Sequence, residues 1–473
     1  MTLLWLPAGI LLPTLTGWLL LRLVEGNTPV LFRAERIALG FVLGLTFTMF
    51  VTFVAHITDL ILFTRLGFLA VQLVITALLA LTFIIRIRRR PSSSHLNLTL
   101  NLPLPPTPLW GKILLGLALL WIIAKIAGGG FLLVSTPPYF DDTLKNWNMR
   151  GKVFFLTHRL DLPTPSKPID PLSSYPPTVS MAKTELALFA GEWNEGLVNS
   201  IHLLWFLAAL VLLFEAVRRH SRGSWGLVGA YLLAGLPLYF MHGVNAYADV
   251  FLSAHLFAAV SLLFHASREE GPRRSAFLRL SALATGLLVF TKNEALLLYL
   301  PLLLALLALA LILGWTGGRM SKREILSTLI WFGGWLLAIA LPWLLFKWTY
   351  GLSFGNAKAV STGYAFGWQP DVLRTLWINT FFEGNWLLLF PLFFLLVAVR
   401  RRHILTAPLF FPILFVFAAL LLQIVLFLFT SLSVEATMQT GLGRGFIHLA
   451  PLIVLIVVLL LHDVFATSKN PQS

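Results

Sequence analysis

Long apolar stretches separated by short polar breaks run along the whole sequence. A helix needs about 20 apolar residues to cross the hydrocarbon core of a bilayer. On that scale the chain has about thirteen candidate spans, and we expect an all-α polytopic membrane protein. The candidate spans are 3–21, 37–57, 61–85, 110–134, 197–217, 225–243, 249–266, 277–291, 295–314, 328–348, 386–399, 408–430 and 446–462.

Clusters of arginine and lysine fall in alternate breaks, for example at 86–90, 218–222 and 400–402. Short loops rich in Lys and Arg stay on the cytoplasmic side of a membrane. With thirteen spans, that rule places the N-terminus outside and the C-terminus in the cytoplasm. The first apolar stretch has no basic segment before it, so we expect no cleavable signal peptide and an integral protein of the plasma (inner) membrane.

Composition narrows the class further. Of the 473 residues, 58% are hydrophobic and 12% are charged, whereas a soluble globular chain has about 25% charged residues. The lack of cysteine in the sequence excludes disulfides, thiolate metal sites and a thiol nucleophile. The net charge of +15 is concentrated in the loops assigned to the cytoplasm, so we interpret it as a topology signal. Membrane lipids, and no nucleic acid, are the expected partners.

Two segments on the outer side are long, 135–196 and 349–385. In the first, Asp141 or Asp142 is well placed to begin a helix, because a carboxylate there meets the positive end of the helix dipole. That helix and an amphipathic run at 179–190 are expected to be interfacial helices. The second segment is predicted to form a mobile flap over a substrate. Its glycine and aromatic residues are Gly355, Gly363, Tyr364, Gly367 and Trp368.

Ionisable residues recur at the outer ends of the later spans. Asp249 opens the seventh span, and Lys292 and Glu294 occupy the turn between the eighth and the ninth. Arg444 and His448 lie at the start of the thirteenth. Each one alone is explained equally well by a side chain that reaches the interface from a span end. Because chance would scatter such residues over both faces, we interpret this set, together with Asp142 of the first long outer segment, as one site.

Carboxylates that face cations suit a phosphate-bearing substrate with a hydroxyl to be deprotonated. Lys and Arg neutralise phosphate, and a carboxylate near an acceptor hydroxyl can act as a general base. The chain has no Walker A motif and no dinucleotide glycine pattern. A donor used at the outer face is therefore expected to be membrane-borne, as a lipid-linked phosphate would be.

A metal site is the alternative interpretation of the histidines in and near the spans. A lone histidine in a span is more often a hydrogen-bonded packing residue, and only His242 has a plausible outer partner, Asp249. Hard cations need mainly oxygen ligands, and the carboxylates here are few. We predict no protein metal site and leave a divalent cation, Mg²⁺ or Mn²⁺, as the open cofactor. The histidines concerned are His202, His242, His255 and His265.

Five short motifs occur in order between about 135 and 463. They are Asp142-Thr-Leu-Lys-Asn-Trp147 with Arg150 and Lys152 after it, Ser174-Tyr-Pro-Pro177, Tyr247-Ala-Asp249, Lys292-Asn-Glu-Ala295, and Gly443-Arg-Gly-Phe-Ile-His448 followed by Pro451. Together they resemble the bacterial GT-C class of membrane glycosyltransferases, which includes polytopic enzymes that use polyprenyl-phosphate sugars. The resemblance covers most of the chain.

The resemblance implies a single transmembrane domain, 1–473, with a GT-C-like core at 110–463 and a catalytic loop at 135–196.

The sequence departs from the usual plan of that class in three ways. Three extra spans, 1–85, precede the core, whereas the usual plan places the catalytic loop after the first span. Ala295 replaces the usual glycine, and no large C-terminal outer domain follows.

The resemblance implies transfer of a sugar from a polyprenyl-phosphate donor to a hydroxyl of a glycan, lipid or protein acceptor, with inversion at the sugar. Asp142 would be the base that activates the acceptor hydroxyl, with Asp141 as the fallback. Asp249 would orient a substrate or help to hold a divalent cation.

The remaining motif residues would bind the substrates. Lys292 and Arg444, together with His448, would contact the donor phosphate and stabilise the departing polyprenyl phosphate. Tyr175 and Trp147 would stack on a sugar ring or anchor at the interface. Lys152 would touch phosphate or lipid headgroups, and Glu294 would contact substrate or simply hold Lys292.

Two other functions remain open from the sequence. A lipid-linked sugar flippase or transporter also needs many spans, but transporters place ionisable sites near the midplane and often contain two related halves. Here Lys125 is the main mid-depth charge, and we find no repeated halves. A non-enzymatic assembly factor on the same scaffold is the other alternative.

Overall fold

The computed structural model describes residues 3–89, 108–140, 142–162, 174–354, 367–406 and 409–467. Within these ranges the regular elements are all helical. In chain order they are α1 (Pro7–Glu25), α2 (Arg33–Ile57), α3 (Arg65–Arg89), α4 (Leu109–Ser135), α5 (Thr143–Met149), α6 (Arg150–Thr157), α7 (Thr178–Ala190), α8 (Glu195–His220), α9 (Gly223–Gly235), α10 (Pro237–Gly243), α11 (Asp249–Ser267), α12 (Gly271–Leu288), α13 (Ala295–Thr316), α14 (Lys322–Thr349), α15 (Pro370–Phe381), α16 (Leu389–Val399), α17 (Arg401–Thr406), α18 (Phe410–Phe429), α19 (Ser433–Thr437) and α20 (Gly441–Thr467).

The described helices confirm an all-α membrane fold but not the count of thirteen spans. Ten helices are long and apolar enough to cross a bilayer, and the pair α9 and α10, bent by 81°, raises that number to eleven. Each predicted span coincides with a helix. However, α12 carries three arginines, and α16 has only 11 residues, so neither has the length and apolarity of an independent span.

The central helix of the bundle is α11. In this helix 94% of the span is buried, whereas in α4 only 17% is buried. It packs against α8, α12 and α20, and it begins at Asp249. A helix that is apolar all round and enclosed by others is typical of a bundle centre, so α11 delivers a carboxylate into the middle of one end of the protein.

The long segment after α4 was predicted to contain one or more short helices, and it contains three. The first, α5, is π-helical, and it continues directly into α6. The third, α7, was expected to be an amphipathic interfacial helix, yet all of its 13 residues are buried. It is enclosed because α2, α3, α6 and α8 all contact it. The helix thus lies beneath α5 and α6 as an internal support.

Arginine-rich ends of several helices meet at the end of the bundle away from Asp249. His220 on α8 lies 2.8 Å from His265, near the end of α11, which places both at that end. Arg86 donates a hydrogen bond of 2.8 Å to the carbonyl of Leu23, and Arg219 forms an ion pair with Glu35. These basic helix ends therefore lie together at one end of the bundle, as the charge pattern predicts.

The close crossing of α1 and α2 depends on glycine. A Cβ atom added to Gly44 would lie 2.6 Å from the Cα atom of Gly17 and would overlap the carbonyl oxygen of Pro13. By contrast, a Cβ atom at Gly333, on the exposed face of α14, would meet no atom within 4 Å. Gly44 therefore requires the absence of a side chain, and Gly333 does not.

We expect Gly44→Leu to destabilise the protein by about 1–3 kcal/mol or more, because the added side chain forces α1 away from α2. The thermal unfolding midpoint of the protein in detergent measures the effect. Gly333→Leu is the matched control and should leave the midpoint unchanged. An equal fall for both variants would contradict the packing described here.

Candidate active site

The carboxylate of Asp249 is fully buried and has four polar neighbours. Its Oδ1 atom accepts hydrogen bonds from Lys292 Nζ at 2.8 Å and from His448 Nε2 at 3.1 Å. Its Oδ2 atom lies 3.0 Å from His242 Nδ1 and 3.3 Å from Arg444 Nε. A buried carboxylate is stable only when it is paired and hydrogen-bonded, and this one is paired on both oxygens.

The local sequence explains why these groups converge. Asp249 is the first residue of α11, where the helix dipole favours a negative charge. Lys292 lies in the short turn between α12 and α13. Arg444 and His448 are four residues apart on α20 and therefore share one face of that helix. The predicted convergence of these residues at one depth is what the structure shows.

Arg444 links this cluster to Asp142. Its Nη2 atom forms an ion pair with Asp142 Oδ2, and Asn146 Nδ2 donates a hydrogen bond of 3.0 Å to the other carboxylate oxygen. Asp142 stands at the cap position of α5, but its side chain makes no capping hydrogen bond. Its partner is the arginine instead. Asp141, the fallback base, lies outside the described residues.

The two aspartates and their two cationic partners balance in charge. Asp142 and Asp249 carry one negative charge each, and Lys292 and Arg444 carry one positive charge each. The guanidinium of Arg444 has five N–H groups, of which the contacts to the two aspartates occupy only part. Its side chain is 28% exposed, so the remaining donors are available to a ligand.

A cavity of about 610 Å³ opens beside this cluster. Its polar wall is formed by Asp142, Glu294, Glu435, Arg444 and His448. The apolar part of the lining comes from α13, α18 and the segments that follow α14 and α18. These apolar lining residues are Leu297, Leu298, Phe354, Leu426, Phe427 and Leu432. The cavity therefore joins an ionic region to an apolar one.

The structure distributes the other predicted site residues differently. Glu294 lines the cavity and lies 3.3 Å from Lys292 Nζ, while Lys292 itself is 4% exposed and does not line the cavity. Tyr175 lines the cavity. Trp147 is buried in the core, with its ring centroid 5.9 Å from that of Tyr175. Lys152 is exposed and is not a lining residue of the cavity.

Sequence reasoning missed a hydrogen-bond chain that orients His448. Tyr299 Oη lies 3.0 Å from His448 Nδ1 and accepts a hydrogen bond of 3.2 Å from Gln423 Nε2. Because His448 Nε2 faces the Asp249 carboxylate, it is the donor there, and Nδ1 accepts from the tyrosine hydroxyl. Tyr299 and Gln423 are single polar residues inside long apolar runs, and that isolation is the signal that could have identified them.

Two tyrosines of the cavity wall are held in the protonated form. The negative charge of Glu294, followed by burial, raises the pKa of Tyr175 well above its ordinary value. Burial raises the pKa of Tyr247 to about 12, and this ring lies 5.2 Å from the guanidinium carbon of Arg444. The two phenols can therefore donate hydrogen bonds to an anionic or sugar ligand. Burial also raises the pKa of the Glu435 carboxyl group, although the positive charge of Arg444 opposes that shift.

No group of three His, Asp or Glu side chains in the described part of the chain is arranged to hold a metal ion. His242 does contact Asp249, as its position in the sequence suggested. His255 instead lies 2.8 Å from Thr46, and His265 lies against His220. The carboxylate oxygens of Asp249 are already occupied by cationic and histidine groups, so they fit a divalent ion poorly. The divalent cation, Mg²⁺ or Mn²⁺, that the sequence left open as a cofactor stays untested.

Part of the predicted flap, 349–385, falls outside the described residues, because Gly355, Gly363 and Tyr364 lie in the segment 355–366. The next residues are anchored: the amide of Gly367 donates a hydrogen bond of 3.1 Å to the carbonyl of Phe429. The ring of Trp368 lies 5.4 Å from the ring of the same phenylalanine. Mobility of this segment stays a prediction.

No protein-family model and no curated protein matches the sequence. The fold does match a solved structure, the crystal structure of ArnT from Cupriavidus metallidurans bound to undecaprenyl phosphate. The TM-score is 0.50 and the sequence identity is 14%, over 72% of this chain and 60% of that chain. The match thus spans less than two thirds of the length of ArnT. At that identity the likeness concerns the fold alone, and this chain has a GT-C-type fold like that of ArnT.

Proposed function

We propose that this protein is an integral membrane glycosyltransferase that transfers a sugar from a polyprenyl-phosphate donor to an acceptor hydroxyl. The observation that carries the proposal is Arg444, which bridges Asp142 and Asp249 at the wall of a cavity lined by both ionic and apolar side chains. An amphiphile with a phosphate head and a prenyl chain matches that cavity. The fold supports the proposal, since ArnT was crystallised with undecaprenyl phosphate.

Arg444 is assigned to the donor phosphate. Its side chain lines the cavity, and arginine binds phosphate through its planar fork of donors. When the bond between the anomeric carbon and the phosphate oxygen breaks, negative charge grows on the phosphate, and a preorganised cation stabilises that charge. The predicted phosphate contact of Lys292 stays a prediction, because its amine is engaged by Asp249 and Glu294.

Asp142 is assigned as the general base. Its side chain is 35% exposed and lines the same cavity as Arg444. The acceptor oxygen attacks the anomeric carbon from the face opposite to the phosphate, the acceptor proton passes to the Asp142 carboxylate, and polyprenyl phosphate leaves with the bonding electrons. A single displacement of this kind inverts the anomeric configuration.

Tyr175 is assigned to the sugar. It is a protonated phenol at the cavity wall, and an aromatic ring with a hydroxyl can both pack on a sugar and donate to it. The apolar lining would hold the first isoprene units of the donor. The acceptor can be a glycan, a lipid or a protein, because the described lining residues of the cavity do not select among these.

We expect Asp142→Asn to reduce sugar transfer by about 10²- to 10⁴-fold, since an amide cannot accept the acceptor proton. The assay is mass spectrometry of glycosylated products in membranes supplied with polyprenyl-phosphate sugars. Asp59→Asn is the control, because Asp59 is an exposed carboxylate in the turn after α2.

Undiminished transfer by the Asp142→Asn variant would remove Asp142 from the role of base. Movement of a sugar lipid across vesicle membranes without any glycosidic product would favour the flippase instead. The two measurements together also separate an enzyme from a non-enzymatic assembly factor, which would show neither activity.

The site is placed on the outer side of the membrane because the arginine-rich loops belong to the opposite end of the bundle. The chain contains no cysteine, so single cysteines can be introduced without removing any. A membrane-impermeant maleimide should label Tyr139→Cys, next to the site, in intact cells. It should label Lys322→Cys, at the start of α14, only after the cells are permeabilised. The reverse pattern would place the site in the cytoplasm.

A further inference from the structure

Lys183 is a fully buried lysine that the proposed chemistry does not use. It lies in the middle of α7 with an exposed fraction of 0%. Its Nζ atom donates to Asn148 Oδ1 at 2.6 Å and to Asn199 Oδ1 at 2.9 Å. Both acceptors are neutral amides, and among the described residues no carboxylate forms an ion pair with this amine.

Such an arrangement is unfavourable for stability. Burying an amine without a counter-charge carries a large desolvation cost, and burial accordingly lowers the pKa of Lys183 well below its ordinary value. An apolar side chain of similar length would avoid this cost. Positions where a chain departs from the rules of stable packing are often functional, so the partners of Lys183 are informative.

The partners of Lys183 lie on α5, which begins just after the proposed base Asp142, and on α8. Asn148 is on α5, six residues after Asp142, and Asn199 is near the start of α8. A second bond joins α7 to α6, which continues directly from α5, since Thr184 Oγ1 donates to the carbonyl of Gly151 at 3.0 Å. The Lys183 amine therefore ties α5 to both α7 and α8.

Helix α7 also contacts the segment that precedes Lys292, the other part of the site. At its start, Thr178 Oγ1 donates a hydrogen bond to the carbonyl of Phe290, two residues before Lys292. Thus α7 holds the segment of Asp142 at one point and the turn of Lys292 at another. The distance between these two parts of the site depends on how α5 is seated on α7.

We propose that Lys183 is a positioning residue that fixes α5, and with it the Asp142 carboxylate, against Arg444. The proposal rests on the proposed function, in which Asp142 is the base. A displacement of about 1 Å at a reacting group can cost about a hundredfold in rate. The amine therefore contributes to catalysis through the place of the carboxylate, without touching the substrate.

The test is Lys183→Met, which keeps the length of the side chain and removes both hydrogen bonds. We expect kcat for sugar transfer to fall about ten- to hundredfold. KM for the polyprenyl-phosphate sugar should be unchanged, because Arg444 and the cavity remain. Asn148→Leu should have the same effect on kcat, and the double variant should show no further loss.

Glu185→Gln is the matched control. Glu185 is equally buried on α7, but its carboxylate accepts from Gln72 of α3, away from α5, and glutamine can keep that bond. This variant should leave kcat unchanged. Unchanged kcat in Lys183→Met, or an equal fall in Lys183→Met and Glu185→Gln, would overturn the proposal.

Hydrogen exchange gives a readout that does not depend on activity. Amides of residues 143–157 should exchange faster in Lys183→Met, and also in the milder variant Asn148→Ala should the first fail to fold. If the wild-type protein transfers no sugar, the proposed function fails, while slower or equal exchange in these variants would show that the tie itself is absent.

Discussion

The buried carboxylate of Asp249 is the interaction on which the site depends. It stands at the start of α11, the most enclosed of the candidate spans in the described part of the chain, and forms ion pairs with Lys292 and Arg444, which approach from different parts of the chain. Removing one partner from a buried ion pair costs about 3–5 kcal/mol, because a buried charge is left uncompensated. The cluster therefore fixes α11, α20 and the turn before α13 relative to one another. A cation fixed in this way is preorganised for a charge that develops in a transition state.

The three N-terminal helices are connected to the site through its support. Arg65 at the start of α3 donates a hydrogen bond of 2.9 Å to the carbonyl of Leu188 on α7. The amide of Phe63 donates one of 2.8 Å to the carbonyl of His158, just after α6. Because α2 and α3 also pack on α7, the extra helices enclose the element on which α5 lies. Their presence before the core thus has a structural consequence for the segment of Asp142.

Much of the fold and part of the site follow from the sequence alone. Apolar length predicts the helices, and the position of Asp249, Lys292 and Arg444 at span ends predicts their common depth. The enclosure of α7 could not be predicted, because periodicity describes one helix and not what its neighbours cover. Lys183 was missed for the same reason, because its partners on α5 and α8 are set by tertiary packing.

A structure of the protein in a lipid nanodisc with added undecaprenyl phosphate tests the central claim most directly. The account predicts the phosphate in the 610 Å³ cavity, at a hydrogen-bond distance of about 3 Å from the guanidinium of Arg444. The prenyl chain should lie along the apolar wall, with Asp249 still bound to Lys292. A phosphate bound at the arginine-rich end of the bundle, or a cavity that stays empty at saturating lipid, would contradict it.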